Sequence, residues 1–238
     1  MTSPQPATRG AAFSFAAGVS LTNLLILVNV AVFLWELATG GYGTDHGWMY
    51  RGALAEGQGW RMVSAAFEHF GWIHIGMNMF ALWQLGRLCE IMFGRVRYVV
   101  LYAIGIVGSG LAINYFAAPL SASVGASGAI FALFGAIVGA GLRLRSRGTQ
   151  LVRSMLPVIV INLVFTFSVP GISIAAHVGG LLSGLAAGFL LYRMPRPQPP
   201  APPAAVAYAN LAHDPAPMTI EHPPIESSQS QSQSQSQQ

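Results

Sequence analysis

The chain has 238 residues, of which 53% are hydrophobic and only 8% charged. A soluble domain carries about 25% charged residues, so the composition excludes an ordinary water-exposed surface and leaves a membrane protein. All 12 basic residues are arginines, and the net charge of +4 is spread over loop ends, with no footprint for nucleic acid. Cys89 is the single cysteine, which rules out an intrachain disulfide and argues against a thiolate metal site; it reads as a small buried hydrophobe.

Residues 1–20 are short, polar to mildly apolar, and too few for a domain; they read as a short cytoplasmic segment. The first apolar run, about Leu21 to Leu37, is long enough to cross a bilayer core of about 30 Å. Ala38-Thr39-Gly40 would also suit a signal-peptide cleavage site, although the spans that follow fit a retained first span. Thr39 to Ala65 is a long connection with glycines, aromatics, Arg51 and Trp60-Arg61, wet enough to lie outside the hydrocarbon. A second span is expected from about Phe67 to Met92, with His69, His74 and Asn78 on it, and a third from about Tyr98 to Ala117. The loop Ala118 to Ser123 leads to Gly125-Ala126-Ser127-Gly128 and a fourth span ending near Leu142. Arg143, Arg145 and Arg147 form the next loop. A fifth span covers about Leu151 to Phe167, Pro170-Gly171 makes a turn, and a sixth span, about Ile174 to Tyr192, carries His177. The expected fold is an all-α polytopic bundle of six transmembrane helices over 21–194. The segment 195–238, proline-rich and then built of Ser-Gln repeats, cannot bury enough apolar surface to offset its ordering entropy and reads as a disordered cytoplasmic tail.

Arginine placement orients the bundle. Arg9, Arg87, Arg95, Arg97, Arg143, Arg145, Arg147, Arg153, Arg193 and Arg196 fall on one side, and Arg51 and Arg61 on the other. Both termini are then cytoplasmic, and spans two, four and six descend from outside to inside. Ser127 lies 16 positions before Arg143, and His177 lies 16 before Arg193. At about 1.5 Å per residue, both side chains sit roughly 24 Å above the inner boundary. Equal depth lets them meet if the helices touch. Gly128, Ala132, Gly135 and Gly139 on span four, and Gly180, Gly184 and Gly188 on span six, repeat every three or four residues, the spacing that lets membrane helices approach closely. On its own, such a stripe is packing.

A serine hydroxyl is a weak nucleophile until a base takes its proton, and His177 can be that base. A triad would need a carboxylate, yet no Asp or Glu occurs between Glu90 and Asp214, so a Ser-His dyad is the economical arrangement. Ser127 opens a helix, where unpaired N–H groups and the positive dipole end favour an oxyanion, and the flanking Gly125 and Gly128 permit a tight turn and close backbone approach. His74 and Asn78 are four apart and share a face of span two; both can donate hydrogen bonds, at a depth that suits an oxyanion hole. Taken singly, each could equally be an interhelical hydrogen bond. His69 reads as structural or as a wall of the site. Metal binding by His69, His74 and His177 lacks a carboxylate ligand and two histidines one turn apart, so neither a metal nor a cofactor is expected.

These residues together resemble the rhomboid family of intramembrane serine proteases. The likeness covers about Leu21 to Tyr192: Trp60-Arg61 in the first loop, His69-x4-His74-x3-Asn78, Gly125-Ala126-Ser127-Gly128, and Ala176-His177-x2-Gly180-x3-Gly184. A lone G-x-S-G is weak, but the set in this order is highly specific. The resemblance implies that Ser127 is the nucleophile and His177 the base, with the Ser127 backbone N–H, His74 and Asn78 as the oxyanion hole. It implies a first loop at Trp60-Arg61 lying partly in the lipid interface, and a structural role for Glu90. Some family members carry tyrosine four residues after the serine, packed on the catalytic histidine; here Phe131 stands there, and its ring can still stack. With no domain before span one and no seventh span, the chain resembles a bacterial six-helix form in the cytoplasmic membrane, its site open to the outer side. Its expected partners are the lipid bilayer and single-span or polytopic membrane-protein substrates, cut in or near their membrane segment. The alternatives are a non-catalytic rhomboid-like protein that escorts membrane clients, and a small transporter, which would need charged or discontinuous spans in paired halves.

Overall fold

A computed structural model of the chain describes residues 20–41, 46–168 and 171–193. The expectations for residues 1–19, Pro170 and the tail fall outside them. The described chain is helical, and its one isolated bridge pairs Met49 with Ser123. The helices are α1 (Leu21–Ala38), the single turn α2 (Arg61–Ser64), α3 (Gly71–Phe93), α4 (Arg95–Phe116), α5 (Ser127–Arg143), α6 (Thr149–Ser168) and α7 (Ile174–Leu191). A 3₁₀ turn, Arg145–Gly148, joins α5 to α6.

Each expected span coincides with a long helix, and the largest difference is the start of α3. Phe67 to Phe70 do not join the helix, because Gly71 has φ +82° and interrupts helical backbone there. Among the described residues, four helical stretches are long and apolar enough to cross a membrane: α1, α4, residues 145–168 with α6, and α7. α5 is apolar but has only 17 residues. α3 has 23 residues but carries His74, Asn78, Gln84, Arg87 and Glu90 among its apolar ones.

α5 is the centre of the bundle, with nearly every residue from Gly128 to Gly141 buried. It packs most extensively against α7, and α4 flanks both. The glycine spacing explains this. A Cβ at Gly180 would fall on the carbonyl oxygen of Gly128, one at Gly184 on that of Ala132, and one at Gly188 on that of Ala136. Reciprocally, a Cβ at Gly135 or Gly139 would strike the carbonyl of Leu181 or Leu185. The two helices therefore meet backbone to backbone. Gly108 and Gly179 let α4 pack against α7, where a Cβ at Gly179 would lie 2.8 Å from Gly108 O and one at Gly108 would strike the Ser183 side chain. α6 is peripheral: 12% of the apolar window over residues 145–168 is buried, against 44% for α4.

Glu90, near the end of α3, closes the start of α1. Its carboxylate accepts from Ser20 Oγ (2.8 Å), Leu21 N (3.0 Å), Thr22 N (3.3 Å) and Thr22 Oγ1 (3.1 Å). Helix N-termini leave their first N–H groups without intrahelical acceptors, and negative charge is favoured there. Cys89 beside it is fully buried.

Substituting Gly184→Leu forces α5 and α7 apart. Overpacking of this kind costs about 1–3 kcal/mol or more. The melting temperature in detergent should fall clearly, whereas Gly76→Leu, with open space around its Cβ, should leave it near wild type. An unchanged melting temperature for Gly184→Leu would remove the seam from the account.

Candidate functional site

Ser127 is the first residue of α5, and four hydrogen bonds fix the loop before it. Ser123 and Met49 exchange N–H···O bonds of 2.9 and 3.0 Å, Gly125 N donates to Ala65 O at 2.7 Å, and Ala126 N donates to His69 Nε2 at 3.5 Å. Gly125 has φ +120°, a conformation L side chains rarely adopt. The place its Cβ would occupy is 2.9 Å from His74 Nε2 and 3.8 Å from Ser127 Oγ. The missing side chain is the space between those two atoms.

The close seam of α5 and α7 brings Ser127 and His177 together. His177 Nε2 lies 2.8 Å from Ser127 Oγ, as the matched depths led us to expect. His177 is 7% exposed. The Phe131 ring stacks on it with centroids 4.2 Å apart and planes 14° from parallel, so the ring stacks without a hydroxyl. Gly128 sits where any Cβ would meet Ser109 at 2.5 Å.

The first histidines of the motif separate into two tasks. His69 is 2% exposed. Its Nδ1 faces Phe67 O at 3.1 Å; a carbonyl only accepts, so Nδ1 carries the proton and Nε2 accepts from Ala126 N–H. His69 is thus a bracket between the loop 65–70 and the serine loop. Its backbone N–H donates in turn to Glu36 Oε2 at 3.3 Å. In His74 the roles are reversed. Phe70 N donates to His74 Nδ1 at 3.3 Å, which leaves the ring proton on Nε2, the atom facing Gly125 and Ser127. Asn78 donates one amide proton to His74 O at 2.9 Å and lines the same cavity, where its second N–H is available. Protein groups thus engage both ring nitrogens of His69 and, in His74, Nδ1 alone.

The cavity measures about 530 Å³ and is bordered by Ser127, His177, His74 and Asn78, with Met49, Met62, Ile73, Met77, Phe131 and Phe134 among its apolar walls. The loop containing Trp60 and Arg61 lies nearby. Arg61 Nη1 donates to Trp48 O at 2.9 Å, its Nε bonds Gln58 Oε1, and its guanidinium lies over the Tyr50 and Trp60 rings at 5.2 and 4.8 Å. Trp60 is 54% exposed. Gly180 and Gly184 act through the seam and touch α5.

Three polar residues of this region escaped the sequence reading. Thr166 of α6 is buried, with Oγ1 2.7 Å from His177 Nδ1. Glu36 and Glu68 are buried behind His69, and one Glu68 oxygen has no hydrogen-bond partner. The available signal was polarity itself: each interrupts an otherwise apolar stretch.

The family model described as Rhomboid domain matches residues 56–194. The chain is 34% identical over 183 residues to Rhomboid protease GluP of Bacillus subtilis (strain 168), covering 72% of this chain and 35% of that protein. It is 33% identical over 174 residues to Rhomboid protease GlpG of Yersinia pestis (strain Pestoides F), covering 71% and 62%. RHOMBOID-like protein 5 of Arabidopsis thaliana is 33% identical over 154 residues, 63% of this chain and 50% of that one. The chain thus spans from about a third to somewhat under two thirds of these relatives' lengths. With Ser127, His177, His74 and Asn78 gathered on one cavity and the family model matching more than half of the chain, the chain belongs to the rhomboid family.

Proposed function

We propose that the protein is an intramembrane serine endopeptidase that cuts membrane-protein substrates in or near their membrane segment. The observation that carries this is the 2.8 Å bond between Ser127 Oγ and His177 Nε2, beside a cavity that receives the Nε2–H of His74. Ser127 Oγ attacks the scissile carbonyl carbon while its proton passes to His177 Nε2. The carbonyl oxygen becomes an oxyanion and accepts from the Ser127 backbone N–H, His74 Nε2–H and Asn78 Nδ2–H. Collapse breaks the C–N bond, and His177 returns the proton to the leaving amine. Water then attacks the acyl-serine by the same route, releasing the carboxyl product and restoring the serine.

The same proposal has six spans. α3 covers about 35 Å and α5 about 26 Å at 1.5 Å per residue. α5 falls short of a core of about 30 Å because its first residue, Ser127, lies below the outer face. Arginine placement favours cytoplasmic termini and a site open to the outer side. The membrane would be the bacterial cytoplasmic membrane, in keeping with the bacterial relatives.

Ser127→Ala and His177→Ala should each abolish cleavage of a single-span model substrate while preserving the melting temperature. Cleavage by Ser127→Ala above background would sink the assignment.

Asn78→Ala separates catalysis from client binding. A donor aimed at the oxyanion stabilises the transition state more than the bound substrate. Loss of one such donor typically costs about 2.7–4 kcal/mol, or 10²–10³ in kcat. The Ser127 N–H and His74 remain, so the lower end is expected, with substrate binding nearly constant. Weaker binding at unchanged kcat would make Asn78 a substrate contact. Lower stability with neither changed would make it an interhelical bond.

A further inference from the structure

The second nitrogen of His177 faces a hydroxyl. Thr166 is 2% exposed, and its Oγ1 lies 2.7 Å from His177 Nδ1 and 2.7 Å from the Asn162 carbonyl oxygen, one turn back on α6. A hydroxyl has one proton, and a carbonyl oxygen can only accept. The proton therefore goes to Asn162 O, and Oγ1 offers a lone pair to Nδ1. A neutral imidazole carries one N–H. If it sits on Nδ1, Nε2 presents its lone pair to Ser127.

We propose that Thr166 is a positioning residue that holds His177 as the Nδ1–H tautomer, keeping Nε2 free to take the Ser127 proton. This rests on the dyad reading above. In the opposite tautomer, Thr166 must turn its proton to Nδ1 and abandon Asn162 O, while Nε2–H points at Ser127 Oγ. That state has one hydrogen bond fewer among buried groups, which makes it roughly five- to tenfold rarer, and it cannot act as a base. After proton transfer the ring is an imidazolium, and Nδ1–H already has its acceptor. In hydrolases with a triad, a carboxylate holds the ring in this way. Here no Asp or Glu occurs between Glu90 and Asp214, and a neutral hydroxyl does the orienting without a buried charge. Phe131 stacks on the ring face and sets its plane; Thr166 sets which edge carries the proton.

The test uses the full chain in detergent or nanodiscs with ring-¹⁵N histidine. There are six histidines, and His177 is assigned by the signal lost in His177→Gln. Two-bond ¹⁵N–¹H correlations should show wild-type His177 as Nδ1–H, and Thr166→Val should shift it toward Nε2–H. In cleavage of a model membrane substrate, Thr166→Val should lower kcat by roughly tenfold or more, because the imidazolium formed on proton transfer loses the acceptor of its Nδ1–H, with KM unchanged, and Thr166→Ser should restore it. A wild-type Nε2–H tautomer, or wild-type kcat in Thr166→Val, would overturn the proposal. If Thr166→Val does not fold, the wild-type spectrum decides alone. Absence of Ser127-dependent cleavage would defeat the protease reading and leave the tautomer readable; Ser127-dependent cleavage with a normal Thr166→Val defeats only this inference.

Discussion

The contact of α5 with α7 is the constraint on which the site depends. Lipid tails are as apolar as leucine, so nothing resembling a hydrophobic effect pulls two membrane helices together; van der Waals packing, interhelical hydrogen bonds and lipid entropy do it. Here the contact is between main chains, because Gly180, Gly184 and Gly188 lie on the carbonyls of Gly128, Ala132 and Ala136. Ser and His side chains are short. Placed on helices separated by leucine-sized side chains, they would not reach each other. The seam ends at Gly128 and Gly180, and the dyad residues stand beside its last rung. α4 joins through Gly108 and Gly179, so three helices form one block and fix the serine against the histidine at 2.8 Å.

Around that block, the same residue type is given different jobs by its neighbours. His69 faces a carbonyl and is a donor at Nδ1; His74 faces a backbone N–H and is an acceptor at Nδ1. One ring therefore accepts from the serine loop and the other turns an N–H toward it. Neither outcome follows from histidine chemistry alone. Both follow from which backbone group the loop 65–70 presents.

The sequence made much of this legible. Matched depth along their helices pairs Ser127 with His177, and the four-residue spacing puts His74 and Asn78 on one face. Both inferences use only helix geometry, which lipid enforces by requiring every backbone group to be satisfied within its segment. What stayed hidden depends on non-helical backbone or on a single polar atom. α3 starts four residues later than the apolar run suggests, because Gly71 reads as an ordinary span glycine yet has φ +82°. His69 was ambiguous because its partners lie in two loops. Thr166 is silent in the sequence because one hydroxyl barely changes the hydropathy of an apolar span.

Glu90 has a consequence for how the chain is made. The N–H groups that begin α1 find their acceptor 69 residues later in the sequence. At about 5–20 residues per second, synthesis takes on the order of ten seconds to cover that distance. Throughout that interval α1 is a helix whose first turn has no protein acceptor, and water or headgroups must serve. Insertion of α3 ends this state. α1 is thus completed only after α3 is in place, and the hairpin they form, not the single helix, is the smallest finished unit of assembly.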